Sequence, residues 1–184
     1  MRWRDPAPMR LQARLIATLA ALALALSAAA ADPLTIWKGG ATPPLVLKTP
    51  AGDTVDLAKL RGKVVLVNFW ATWCAPCVEE MPALARLRGR LAPRGFEVLA
   101  VNQGEMPQRV TAFVSRSGLD LPVLLDRDKE AGKAWRVRAL PTTFIVDAAG
   151  RMRFQGEGEI DTGEALEALL LPLLPRERPT SAAR

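Results

Sequence analysis

The chain carries two cysteines, both in the run Trp73-Cys74-Ala75-Pro76-Cys77. Two residues between them let the sulfurs close a small disulfide ring across one turn, and the chemistry of such a pair is thiol-disulfide exchange. The run follows Lys63-Val-Val-Leu-Val-Asn-Phe69, which is nearly uninterrupted apolar and β-branched sequence, as a strand covered on both faces requires. After it, Cys77, Met81, Leu84, Leu87 and Leu91 recur at helical spacing on one face. A thiol in the first turn of that helix would meet unpaired backbone N–H groups and the positive end of the helix dipole, both of which favour thiolate. Pro76 suits an early helical position, where no N–H is needed and φ is already fixed. Cys74, nearer the helix end, is the expected attacking thiolate. Cys77, on the apolar face, is expected to resolve the mixed disulfide.

Two other uses of the pair weigh against this one. As a mere staple, a four-residue loop removes only about 2 kcal/mol of unfolded-state entropy. As a metal site, two thiolates in a chain with no histidine cannot complete a four-ligand structural zinc centre without help from carboxylates. They can hold Cu(I), with Met81 as a nearby soft ligand, so a Cu(I)-carrying metallochaperone is the alternative reading. The absence of histidine also excludes Ser-His-Asp and Cys-His hydrolases and covalent haem attachment. No cofactor is called for.

The elements that must hold the pair are legible along the chain. Its 184 residues, 49% hydrophobic and 24% charged, suit one globular domain. Leu45-Val-Leu47 and Thr54-Val-Asp-Leu57, joined through Gly52-Asp53, read as an N-terminal β-hairpin. Further strands are expected over 96–101, 121–125, 142–146 and 152–155, and helices over 108–117, 129–135 and 163–171. The alternation implies an α/β fold, a central mixed sheet flanked by helices, with parallel pairs early and an antiparallel hairpin at Ala148-Ala-Gly150. The domain is expected over 32–175, with a disordered tail at 176–184.

Net charge is +6, but Arg2, Arg4, Arg10 and Arg14 against Asp5 put half of it in the first 31 residues. What remains is too small a surplus to suggest nucleic acid. The basic stretch precedes Leu15–Leu26, an apolar run of signal-peptide length, and then alanines through Ala31. Residues 1–31 therefore read as a signal peptide cut near Ala31-Asp32, or as an uncleaved membrane anchor, and either places the domain outside the cytoplasm.

Asn68-Phe-Trp-Ala-Thr-Trp-Cys-Ala-Pro-Cys-Val-Glu-Glu-Met-Pro82 and Ala139-Leu-Pro-Thr-Thr-Phe-Ile-Val-Asp147 resemble the two active-site segments of the TlpA/ResA-like thioredoxin-fold thiol-disulfide oxidoreductases. The likeness runs from about Ala41 to Leu171 and implies a thioredoxin-like fold with the N-terminal hairpin and a central βα insertion around 104–125. It implies that Pro141 is a cis-proline whose loop, with Leu140 and the rim residue Trp73, meets the substrate backbone. It implies a kink at Pro82, and it matches Asn68 to the thioredoxin aspartate that handles the resolving thiol's proton. An amide cannot take that proton, so Glu80, three residues after Cys77, is the expected acceptor. Glu79 is expected to be solvated and Trp70 to be packing. Thr72 lies two residues before Cys74, not three as in the peroxiredoxin pattern, so peroxide chemistry is disfavoured. The implied activity is reduction of a disulfide-containing exported protein, in cytochrome c maturation or at copper-site cysteines. The implied partner is a membrane-bound electron donor, and the implied place is the periplasm or the outer face of the inner membrane.

Overall fold

Seven consecutive residues, Val64–Trp70, are all buried, which demands a strand with neighbours on both edges and cover on both faces. In the computed structural model, which describes residues 34–175, this strand is β4. The others are β1 (Thr35–Ile36), β2 (Val46–Lys48), β3 (Thr54–Asp56), β5 (Phe96–Gln103), β6 (Val123–Asp126), β7 (Thr142–Val146) and β8 (Met152–Glu157). They form one mixed sheet in the order β1-β8-β7-β4-β5-β6-β2-β3. β4 runs parallel to β5 with Val64 opposite Phe96, and antiparallel to β7 with Phe69 opposite Thr142. The helices are α1 (Ala75–Leu91), α2 (Pro107–Ser117), α3 (Glu130–Ala134) and α4 (Glu164–Leu170). None of them is long and apolar enough to cross a membrane.

The two-residue period of β4 sorts the core into two halves. Val64, Leu66 and Trp70 point to one face, where they pack with Met81, Leu84, Leu87 and Leu91 of α1 and with Leu166 and Leu170 of α4. Val65, Val67 and Phe69 point to the other face, toward Trp135, Phe144 and Leu45. Asn68 has the parity of the α1 face, and that places a polar side chain against the active-site helix. The expected α/β architecture, hairpin and insertion are all present. Pro82 lies inside α1, where its missing N–H leaves the Val78 carbonyl without its usual partner.

Four features differ from the expectation. An eighth strand, β1, pairs with β8 through Thr35 and Gln155. The lead-in hairpin is not free-standing, because Lys48 of β2 bridges Leu125 of β6 and extends the sheet. Strands β5 and β8 run two residues further than expected. The last helix stops at Leu170 and tightens into a 3-10 turn over Leu171–Leu173, since Pro172 cannot continue it. The expected signal segment 1–31 and tail 176–184 lie outside the described residues.

Candidate active site

β4 ends at Trp70 and the chain turns through Ala71, Thr72 and Trp73 before α1 begins. The turn is closed by the Cys74 N–H, which donates to the Ala71 carbonyl at 3.2 Å. Cys74 is extended (φ −89, ψ 99), so it is the N-cap of α1 and not, as expected, a member of its first turn. Its own carbonyl accepts from Val78 at 3.1 Å, and its side chain caps nothing, which leaves the sulfur free for chemistry. Pro76 falls at the second helical position and Cys77 at the third. The sulfurs are bonded, with the Cα atoms 5.3 Å apart. Cys77 is fully buried while Cys74 keeps 5% of its surface exposed, the ordering that attack by Cys74 and resolution by Cys77 need. Trp73 stands 65% exposed beside it, whereas Trp70 is fully buried against Phe113.

The second segment meets the first through the sheet. Because Thr142 lies opposite Phe69, Pro141 sits at the end of β4 from which the cysteine turn departs. The Leu140–Pro141 bond is cis. Pro141 is buried and its carbonyl accepts from Gly158, while Leu140 is half-buried against both halves of the core.

Below Cys77, one turn further along α1, Glu80 is only 3% exposed. Its carboxyl accepts from Asn68 Nδ2 at 2.7 Å and from the Ile160 N–H at 3.3 Å. Asn68 Nδ2 also donates to Thr143 Oγ1 at 3.0 Å, and Asn68 Oδ1 has no partner among the described residues. Burial raises the Glu80 pKa to about 7, against the opposing hydrogen bonds from Asn68 and Ile160. A carboxyl that titrates near neutrality beside a buried thiol can take and return a proton there. Glu79 is exposed.

Glu80 has a measurable signature. Between about pH 4.5 and about 7 the unfolded chain has released this proton while the folded protein still holds it. Stability should therefore fall as pH rises through that window, by about 3 kcal/mol. With no histidine in the chain and both cysteines oxidised, no side chain of ordinary pKa changes charge between about pH 5 and pH 8. Glu80→Gln should abolish the slope. Denaturant midpoints of the oxidised protein at pH 5 and pH 8 measure it, and equal midpoints in the native protein would return Glu80 to a plain packing role.

Sequence reasoning passed over Glu105. It lies in the loop after β5, at the same sheet end as the cysteine turn, and is 7% exposed. Its carboxylate accepts from the Thr72 N–H at 2.7 Å, the Thr72 hydroxyl at 2.6 Å and Asn102 Nδ2 at 2.8 Å. Arg109 pairs with it at 3.1 Å. Burial alone would raise its pKa, but the Thr72 and Asn102 hydrogen bonds and the Arg109 charge more than offset that, so it stays ionised. The available signal was positional, since the ends of adjacent parallel strands are where such folds assemble their sites.

Similarities to known proteins follow the same geometry. The chain is 38% identical over 118 residues to the thiol-disulfide oxidoreductase ResA of Bacillus subtilis, covering 64% of this chain and 66% of that one. It is 35% identical over 145 residues to the ResA of Bacillus thuringiensis strain Al Hakam, covering 79% of this chain and 83% of the relative. A Chlorobium tepidum crystal structure, described as a candidate thiol:disulfide interchange protein DsbE, superposes with a TM-score of 0.69 at 28% identity, covering 76% of this chain and 99% of that one. The fold is thioredoxin-like. A family model described as AhpC/TSA matches residues 39–155, which hold the cysteine turn, Glu80, Glu105 and the Pro141 loop, and the chain belongs to that family.

Proposed function

We propose that the protein is an exported thiol-disulfide oxidoreductase that reduces disulfides in particular exported proteins. The observation that carries this is the Cys74–Cys77 disulfide at the N-terminus of α1, with a neutral-range carboxyl one turn below the buried sulfur. In the dithiol form, the Cys74 thiolate attacks one sulfur of the target disulfide and the second target sulfur leaves as thiolate, taking a proton. Cys77 then gives its proton to Glu80 and attacks Cys74 Sγ, expelling the first target sulfur. Two electrons pass to the target, and the protein is left as the disulfide. Trp73, Leu140 and Pro141 supply the rim against which the target backbone lies. The names of the similar proteins support exchange chemistry, and the target class suggested by the family resemblance is the cysteine pair of an apocytochrome c or a copper site.

Direction follows from charge. Ala75 and Pro76 place no cation between the cysteines, so thiolate stabilisation rests on the helix end alone. The dithiol is then less favoured than in an oxidant, and the potential should lie nearer thioredoxin at about −270 mV than DsbA at about −120 mV. Equilibration with a dithiothreitol series measures it. A value above about −180 mV would make the protein a disulfide donor instead. Efficient turnover of a protein disulfide would also decide against the Cu(I)-carrying alternative.

Domain organisation and location belong to the same proposal: residues 1–31 as export segment or anchor, 32–175 as the catalytic domain, and a membrane-bound donor returning electrons. The Arg-flanked apolar run supports it. N-terminal sequencing of native protein should give Asp32, an intact Met1 in membranes would mean an anchor, and accumulation in the cytoplasm would defeat export.

A further inference from the structure

The turn that carries Cys74 is held at two points. Inside, the Cys74 N–H closes onto Ala71. Outside, Thr72 gives both its backbone N–H and its hydroxyl to the Glu105 carboxylate. The backbone around position 105 does not depend on that carboxylate. The loop after β5 is already fixed, because the Gly104 N–H donates to the Asp126 carbonyl at 2.9 Å and α2 begins at Pro107 with its own hydrogen bonds back to Met106. Yet the carboxylate is buried and ionised, and a buried charge is tolerated only where its hydrogen bonds repay the desolvation. Those bonds come from Thr72, from Asn102 at the end of β5, and from Arg109 in the first turn of α2, whose Nε also reaches the Thr72 hydroxyl at 3.1 Å. The charge is therefore spent on tying the cysteine turn to β5 and α2.

We propose that Glu105 is a positioning residue for the redox centre, which holds the Ala71–Cys74 turn so that Cys74 Sγ stays within reach of Cys77 when the disulfide is open. This rests on the exchange chemistry proposed above. In the oxidised protein the disulfide ring already fixes Cys74, so the tie restricts little that is not restricted. In the dithiol the ring is gone, and the tie to Glu105 and the Cys74–Ala71 hydrogen bond are left to limit the turn. Releasing it gives conformational freedom mainly to the dithiol, lowers the effective concentration of one sulfur at the other, and makes ring closure less favourable. The tie thus holds the pair on the reducing side.

The test is the thiol-disulfide equilibrium with dithiothreitol, read by thiol alkylation, in full-length native protein and in Glu105→Ala, Glu105→Gln and Thr72→Ala. Glu105→Ala should move the equilibrium about tenfold toward dithiol, equivalent to about 30 mV. Glu105→Gln, which keeps an oxygen to accept from the Thr72 N–H but no charge, should move it less than about threefold. A smaller or opposite shift in Glu105→Ala would overturn the proposal. Equal shifts in Ala and Gln would overturn it too, because the effect would then be one of charge and not of position. If circular dichroism shows Glu105→Ala unfolded, Thr72→Ala decides: about a threefold shift toward dithiol is expected, and none overturns the proposal. Because dithiothreitol stands in for the target, native protein that equilibrates normally yet reduces no protein disulfide would sink the proposed function and leave this result intact.

Discussion

Cys77→Ser will accumulate its natural target as a mixed disulfide at Cys74, Cys74→Ser will trap almost nothing, and both will lose disulfide-reduction turnover by at least about 1,000-fold. The asymmetry follows from burial and position. Cys74 is the N-cap, its side chain makes no capping hydrogen bond, and it is the only one of the two sulfur-bearing residues with surface left to offer. Cys77 points into the α1 face of the core among Met81 and Leu84, where no target sulfur can reach it, so it can act only on a bond already formed at Cys74. Without it the mixed disulfide has no internal exit. Acid-quenched, alkylated extracts run without reductant would show the adduct. Equal trapping by the two variants, or faster alkylation of Cys77 than of Cys74 in the reduced protein, would reverse the assigned roles.

Trp135→Ala should destabilise the protein by about 4 kcal/mol while leaving the dithiothreitol equilibrium of the cysteines unchanged. Trp135 is fully buried on the sheet face away from α1. It meets Phe144 edge-on at 5.2 Å and Phe69 at 5.8 Å, and its Nε1 donates to the Pro44 carbonyl at 3.2 Å. One side chain thus joins β4, β7 and the lead-in to the N-terminal hairpin, and its removal opens a cavity among rings that cannot collapse into it. Equilibrium denaturation with intact disulfide gives the loss. A cost below about 1 kcal/mol would mean that the second half of the core repacks freely.

These two predictions mark what the sequence disclosed and what it withheld. β4 and α1 were legible because a buried strand writes a continuous apolar run and a packed helix writes a three-four spacing, and the cysteines sat at their junction. In the sequence Trp135 marks only a helix end. A lone aromatic carries no period, and its partners Phe69, Phe144 and Pro44 are far apart in the chain. β1 was missed for a related reason: two residues are too few to alternate, and its pairing is decided by β8 some 120 positions away. Asn68 and Glu80 were brought together by resemblance, and the sheet parity of β4 together with the turn of α1 accounts for why they touch. Glu105 had no motif to announce it, since a loop carboxylate is ordinary until the fold shows Thr72 above it.

The unpartnered Oδ1 of Asn68 bears on how Glu80 can exist in two protonation states at one address. An amide is a donor at one end and an acceptor at the other, and a half-turn about its last bond exchanges the two with almost no movement of heavy atoms. Facing Glu80 with nitrogen, as in this structure, Asn68 suits the carboxylate; facing it with oxygen, it suits the carboxylic acid. An aspartate at position 68 would repel the first form, and an aliphatic residue would strand both. The half-turn also withdraws Nδ2 from Thr143, so the amide serves the carboxylate with more hydrogen bonds than it serves the acid, and the residue that departs from the thioredoxin pattern biases Glu80 toward releasing its proton.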